Sequence, residues 1–140
     1  MRFLYNIFIY LHIGILHLIC PFNKKIKTML KGQKECFGKL KSINPNDKIA
    51  WFHCASLGEF EQGRPLLEEV KKHFPNHNIW LSFYSPSGYE AKKNYSLADY
   101  IVYLPNDTRK NAKKFVNMVN PDLVFFIKYE FWYNYISALK

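Results

Sequence analysis

Ser56-Leu57-Gly58-Glu59 places a hydroxyl and a carboxylate three residues apart. Two chemistries fit that spacing. In the first, a capping box, Ser56 accepts from the Glu59 amide while the Glu59 carboxylate returns to the Ser56 amide, and the pair does nothing but start a helix. In the second, the carboxylate stands at the mouth of a ligand cleft as a general base and takes a proton from a hydroxyl nucleophile. Ser87-Gly88-Tyr89-Glu90 repeats the pattern, so on local pattern alone the cap is favoured. A second carboxylate, Glu130 in Lys128-Tyr129-Glu130-Phe131-Trp132, follows the most hydrophobic run of the chain, and Lys128 beside it carries a neutralising charge. Cap and base are compatible, because a helix start orients the carboxylate it holds.

The elements that must position these groups are legible as alternating periods. After the polar break Asn44-Pro45-Asn46-Asp47, residues 48–54 (KIAWFHC) read as a buried strand. Residues 59–73 carry Phe60, Leu66, Leu67 and Val70 at helical spacing, and Phe74-Pro75-Asn76 ends them. The pattern then repeats. Residues 78–84 are strand-like, Ser85-Pro86-Ser87-Gly88 is a turn, residues 89–95 form a short helix, and 100–104 give a third strand. Asp107 or Thr108 caps a helix running to Asn120, with Ala112, Phe115, Val116 and Val119 inward and Arg109, Lys110, Lys113 and Lys114 in water. Residues 122–127 (DLVFFI) are expected to be the most buried strand. Strands alternating with helices imply a parallel sheet with right-handed crossovers, a Rossmann-like α/β layer. In such a sheet every strand-to-helix loop opens on one edge, so residues 55–59, 85–88, 105–108 and 128–134 are expected to converge there. The helix amino termini at that edge favour an anionic ligand. Trp51 and Trp80 are expected in the core, whereas Trp132 and Tyr133 fall on the edge and could touch a sugar.

Composition sets outer limits. A 140-residue chain holds one compact domain beyond its apolar start, and a hydrophobic fraction of 49% excludes disorder. Cys20, Cys36 and Cys54 are odd in number and lack zinc spacing, which argues against a disulfide framework or a metal site. Residues 3–20 are apolar apart from Asn6, His12, Gly14 and His17, and no small-residue cleavage site follows, so retention is expected. Lys24, Lys25, Lys27, Lys31 and Lys34 crowd the carboxyl side, which places the rest in the cytoplasm if the helix spans. The alternative is an interfacial helix that lies on the membrane. His12 and His17 are read as tolerated polar positions, not ligands. Three segments result: a membrane-anchor helix over 1–22, a basic juxtamembrane stretch over 23–46 and a Rossmann-like domain over 47–140. Lys and Arg number 20 against 11 Asp and Glu, a field that suits phosphate, anionic lipid or nucleic acid without choosing among them. The Arg109 to Lys114 run is read as a solvated helix face, not as a nucleic-acid site.

The ordered motifs, His53-Cys54-Ala55-Ser56-Leu57-Gly58-Glu59-Phe60-Glu61, Ser85-Pro86-Ser87-Gly88-Tyr89, Leu104-Pro105-Asn106-Asp107-Thr108, Pro121-Asp122 and Lys128-Tyr129-Glu130-Phe131-Trp132-Tyr133-Asn134, resemble the amino-terminal half of a 3-deoxy-D-manno-octulosonic acid (Kdo) transferase. The resemblance implies a membrane-associated, metal-independent glycosyltransferase of two Rossmann-like domains, the GT-B arrangement. Such an enzyme moves Kdo from CMP-Kdo to a lipid A precursor at the cytoplasmic face of the bacterial inner membrane, with no cofactor. It also implies Glu59 as the base, Glu130 as support for the transition state, and Ser56, Gly58, Ser87, Gly88 and Lys128 as acceptor-cleft residues. This chain departs from the family pattern at Gly32-Gln33, where Gly-Arg is usual, and at Trp132-Tyr133-Asn134, where Trp-Pro-Asn is usual. It ends inside a helix, so the donor-binding domain is expected to be missing and the chain to be inactive alone. A non-catalytic membrane module binding acidic lipid is the competing expectation.

Overall fold

A computed structural model describes residues 2–128 and 131–140. Four parallel strands, β1 (Lys48–Cys54), β2 (His77–Phe83), β3 (Tyr100–Tyr103) and β4 (Leu123–Phe126), lie in the order β3-β2-β1-β4. The register sets Trp51 beside Trp80 and Phe52 between Leu81 and Phe125. Side chains alternate across the sheet, so each strand feeds two cores. On one side Ala50, Phe52, Ile79, Leu81 and Phe83 pack against α3 (Leu57–His73) and α4 (Pro86–Lys92). On the other, Ile49, Trp51, Trp80 and Val102 pack against α2 (Lys24–Leu40) and α5 (Arg109–Val119), with Tyr135 of α6 (Tyr133–Ala138) closing that layer. Trp51 and Trp80 are fully buried, as their place in the first two strands predicts. The parallel α/β class expected from the alternating periods is the observed one.

Several details differ from the local reading, each for a nonlocal reason. Leu66 points outward, and Gly63 takes the inward place because a Cβ there would come within 2.8 Å of Ile127. The fourth strand, expected to be the most buried, is only half-buried, since it lies at an edge of the sheet. Within the basic stretch 23–46, α2 buries Met29, Leu30, Gln33, Cys36 and Leu40, so its lysines occupy the outward face of a packed helix. Gly32 of α2 meets Tyr103 so closely that any Cβ would overlap the ring, and Gln33 donates to the Leu104 carbonyl at 3.0 Å.

The amino-terminal helix α1 (Arg2–Ile19), with the single turn Cys20–Phe22 after it, is long and apolar enough to cross a membrane. Three of its polar side chains, however, bond to the domain. Tyr5 donates to the Asp107 carboxylate, Asn6 accepts from Asn134, and His12 shares a hydrogen bond with the Tyr84 hydroxyl at 3.0 Å. Phe3, Leu4, Ile7, Phe8, Leu11, Ile15 and Leu18 face outward, exposed.

Candidate active site

The strand order places a reversal between β1 and β4: the chain steps from β1 to β2 and β3 in one direction, then returns past β1. Open α/β sheets take ligands in the crevice beyond the carboxyl ends of strands at such a reversal. By that rule the ligand edge here falls between the loop after β1, carrying Ser56 to Glu59, and the loop after β4, carrying Lys128. The two loops are tied at their roots by the Ile127 amide donating to the His53 carbonyl, 3.0 Å. The second loop is tied in likewise, Ser85 N–H donating to the Ala55 carbonyl at 2.8 Å.

Ser56 is the N-cap of α3, extended at φ −136°, and its Oγ accepts weakly from the Glu59 amide, 3.4 Å. The return contact differs from the expected box: Glu59 Oε2 accepts from the Ala55 amide, one residue earlier, at 2.6 Å. The half-buried carboxylate is therefore held by one oxygen. Its Oε1 has no hydrogen-bond partner among the described residues. A carboxylate oxygen keeps two lone pairs, so Oε1 can take a hydroxyl proton while Oε2 fixes the group. Gly58 is exposed, with open space where a Cβ would stand, so no described residue crowds it. Cys54, the other nucleophile nearby, is buried; desolvation, then the Glu59 charge, push its thiol up to about 12, so it stays protonated and inert.

The second loop corrects the repeated motif. Ser85, not Ser87, caps α4 and accepts from the Gly88 amide at 3.2 Å, because Pro86 at the first helical position starts the helix three residues sooner than the expected start at Tyr89. Ser87 is exposed, its Oγ 3.0 Å from that of Ser85, and Glu90 pairs with Lys93 on the surface. Gly88 is buried where a Cβ would lie 2.6 Å from the Phe83 ring and 3.1 Å from the Leu57 amide, so its role is close approach of α4 to the start of α3. Lys128 adopts the left-handed conformation, φ +64°, and is exposed at the root of the last loop. For a residue with a Cβ that conformation costs of order 1–3 kcal/mol and persists only where its surroundings impose it. Glu130, the second expected carboxylate, lies outside the described residues.

Two polar clusters at this edge have no local sequence signal. His53 is fully buried on β1; its Nδ1 lies 2.9 Å from Ser82 Oγ, which also accepts from the Trp51 indole, and its ring meets Trp132 edge-on at 5.0 Å. Desolvation pulls the imidazole down to about 3 from an ordinary 6.5, so it is neutral at physiological pH. Its role is to buttress Trp132. Asp107, weighed above as a cap for α5, instead caps α6: Thr108 starts α5, while Asp107 accepts from the Asn134 and Tyr135 amides at 3.2 and 3.1 Å and from Tyr5. Burial pushes its carboxyl up, and these three donors partly offset the shift. Asp107→Ala is expected to strip two buried amides of their acceptor and to lower stability by about 2–3 kcal/mol, read as a shift in the urea midpoint at constant slope. An unchanged midpoint would remove Asp107 from its place as the link between α1 and α6.

The sequence profile of the family described as 3-deoxy-D-manno-octulosonic-acid transferase (kdotransferase) matches residues 31–140. A 3-deoxy-D-manno-octulosonic acid transferase of Aquifex aeolicus is 34% identical over 111 residues, which cover 74% of this chain and 31% of that protein. One of Haemophilus influenzae is 30% identical over 96 residues, 68% of this chain and 22% of the relative, and one of Rickettsia bellii is 31% identical over 108 residues, 76% and 26%. The chain thus spans a third or less of the length of these relatives. A profile match over 110 residues, on a Rossmann-like layer whose strand order reverses beside Glu59, establishes that the chain belongs to the Kdo transferase family.

Proposed function

We propose that this chain forms the acceptor-side wall of a glycosyltransferase that moves Kdo from CMP-Kdo to a lipid A precursor, with Glu59 as the general base. The observation that carries the reading is the Glu59 carboxylate: one oxygen fixed by the Ala55 amide, the other unpartnered among the described residues, at a strand-order reversal. In the proposed step the base takes the acceptor hydroxyl's proton as that oxygen bonds to the anomeric carbon of Kdo. The bond from that carbon to the CMP phosphate breaks, and CMP leaves with the electron pair. Glu130 supports the charge of the transition state. Ser56, Gly58, Ser87 and Lys128 line the acceptor cleft, Lys128 as a cation beside a phosphorylated substrate, while buried Gly88 holds α4 against the start of α3 behind them. The donor is held mainly by a second Rossmann-like domain, and no metal takes part.

The helix α1 seats the protein on the cytoplasmic face of the inner membrane, lying in the interface and not crossing it. The orientation of its side chains supports this: Tyr5, Asn6 and His12 bond to the domain while its apolar residues face outward. The same exposed face favours the second reading, a non-catalytic module that only binds acidic lipid.

A chimera of residues 1–140 joined to the remaining carboxyl-terminal part of the Aquifex aeolicus relative tests the proposal. Incubated with CMP-Kdo and lipid A precursor, it is expected to form the Kdo-bearing product with EDTA present, whereas the 140-residue chain alone is not. A folded, membrane-bound chimera that forms no product would overturn the reading.

A further inference from the structure

Away from the β1 and β4 crevice, a cavity of about 360 Å³ lies where the first turn of α1 meets α5 and α6. Arg2, Arg109 and Lys113 line it together with Asn117, Asn134 and Ser137. Arg109, Lys113 and Asn117 recur at four-residue spacing and so share one face of α5. None of the three cations is in an ion pair with a described residue; Arg2 has only the Tyr133 ring, 5.8 Å from its guanidinium carbon. Three like charges lining one cavity repel one another until an anion joins them, so the cluster is poised for a ligand of opposite charge.

Asn134 adds an independent mark. It is almost fully buried, and its Nδ2 donates both to the Asp107 carbonyl at 2.7 Å and to Asn6 Oδ1 at 3.0 Å, which fixes the amide's orientation. Its Oδ1 has no partner among the described residues. An acceptor left over beside three cations fits a ligand that carries a hydrogen-bond donor next to its negative group.

Arg2 also lines a neighbouring cavity with Leu4, Tyr5 and Tyr133 whose walls are almost wholly apolar. The cationic cavity and the apolar one therefore share a wall, and both open beside the outward apolar face of α1. We infer that this pair of cavities is a binding site for an anionic phospholipid, its phosphate held by Arg2, Arg109 and Lys113, a headgroup hydroxyl meeting Asn134 Oδ1, and its acyl chain against Leu4 and Tyr133. The site stands apart from the Glu59 crevice and does not depend on the transfer reaction. It orients the domain by gripping a lipid at the end of α1 opposite the basic residues of α2.

Vesicle cosedimentation of the 140-residue chain tests this, using phosphatidylcholine vesicles doped with phosphatidylglycerol. Arg109→Ala with Lys113→Ala is expected to weaken binding about thirtyfold, from about 1 kcal/mol per basic residue at an anionic surface. The control is charge-matched and on the same helix: Lys110→Ala with Lys114→Ala, whose side chains line a different cavity, should cost no more than about threefold. Phosphatidylglycerol should also be preferred over phosphatidylmethanol, which has the same net charge but no headgroup hydrogen-bond donor. Should the first alanine pair melt below the wild-type chain, Arg109→Gln with Lys113→Gln, which keeps most of each stem, makes the same comparison. Equal losses in the two pairs, or equal binding to the two lipids, would mean a diffuse positive field and would overturn the site. Competition by soluble glycerol 3-phosphate as effective as that by vesicles would assign the cavity to a free phosphate ester and overturn the lipid assignment.

Discussion

Glu59→Gln, placed in the transfer-competent chimera, is expected to lower the rate of Kdo transfer by about two to four orders of magnitude, the range a positioned general base contributes. The fold should survive. Glutamine keeps the length and an oxygen for the Ala55 amide, so the contact at 2.6 Å is retained in kind while the basic oxygen is lost. Thermal melting should therefore stay within about 1 kcal/mol of the parent, since the exchanged contact is one part-buried hydrogen bond. A purely capping Glu59 predicts the same small stability change but with transfer intact. Glu59→Asp separates the roles further: it keeps the charge but draws the carboxylate back by one methylene, so loss of rate with retained ionisation points to position. Transfer unaffected by Glu59→Gln would leave the acidic-lipid module as the better account of this domain.

Stability is expected to fall with acid through His53. The folded imidazole titrates near 3 and the unfolded one near 6.5, so below pH 6.5 the unfolded chain binds a proton that the folded chain refuses. Stability from this group is complete above the unfolded value and is lost as pH falls. The slope is about 1.4 kcal/mol per pH unit, reaching about 3 kcal/mol at pH 4. Urea midpoints measured between pH 6.5 and pH 5 isolate the effect, because most carboxylates stay ionised there. In His53→Gln the slope over that window should flatten by one proton's worth, whatever the variant's absolute stability. The same slope in both proteins would mean that water or a shifted ring reaches His53 before unfolding does. Because His53 packs against Trp132, near-ultraviolet circular dichroism should report the loss of that contact together with unfolding and not ahead of it.

How far the site could be read beforehand depends on how local each interaction is. The Glu59 loop was legible because its signal spans four residues: a cap hydroxyl, a turn and a carboxylate, between an apolar run and a helical period. Even so, the pattern could not separate Ser56 from Ala55 as the amide that Glu59 meets, since that depends on the extended backbone at Ser56. Ser87 looked like a second cap for the same reason and is not one, because Pro86 favours a start at Ser85. Gly63 and Leu66 exchange roles on α3 because Ile127, more than sixty residues away, fills the space above Gly63.

By itself the sequence determined the alternation of strands and helices, the parallel α/β class, the burial of Trp51, Trp80 and the inward face of α5, and the family. Periodicity and capping are written within a turn or two of chain, and ordered motifs survive without coordinates. Only the tertiary structure decided the strand order, and with it that the reversal lies between β1 and β4. It also decided that hydrophobic β4 is an edge strand, that α2 is a packed helix, and that α1 turns Tyr5, Asn6 and His12 to the domain. Those outcomes rest on contacts between residues far apart in sequence, such as Tyr5 with Asp107, and Asp107 with Asn134. No local period encodes which distant partner satisfies a buried amide or carboxylate; the requirement that each find one is met only when the whole chain has closed.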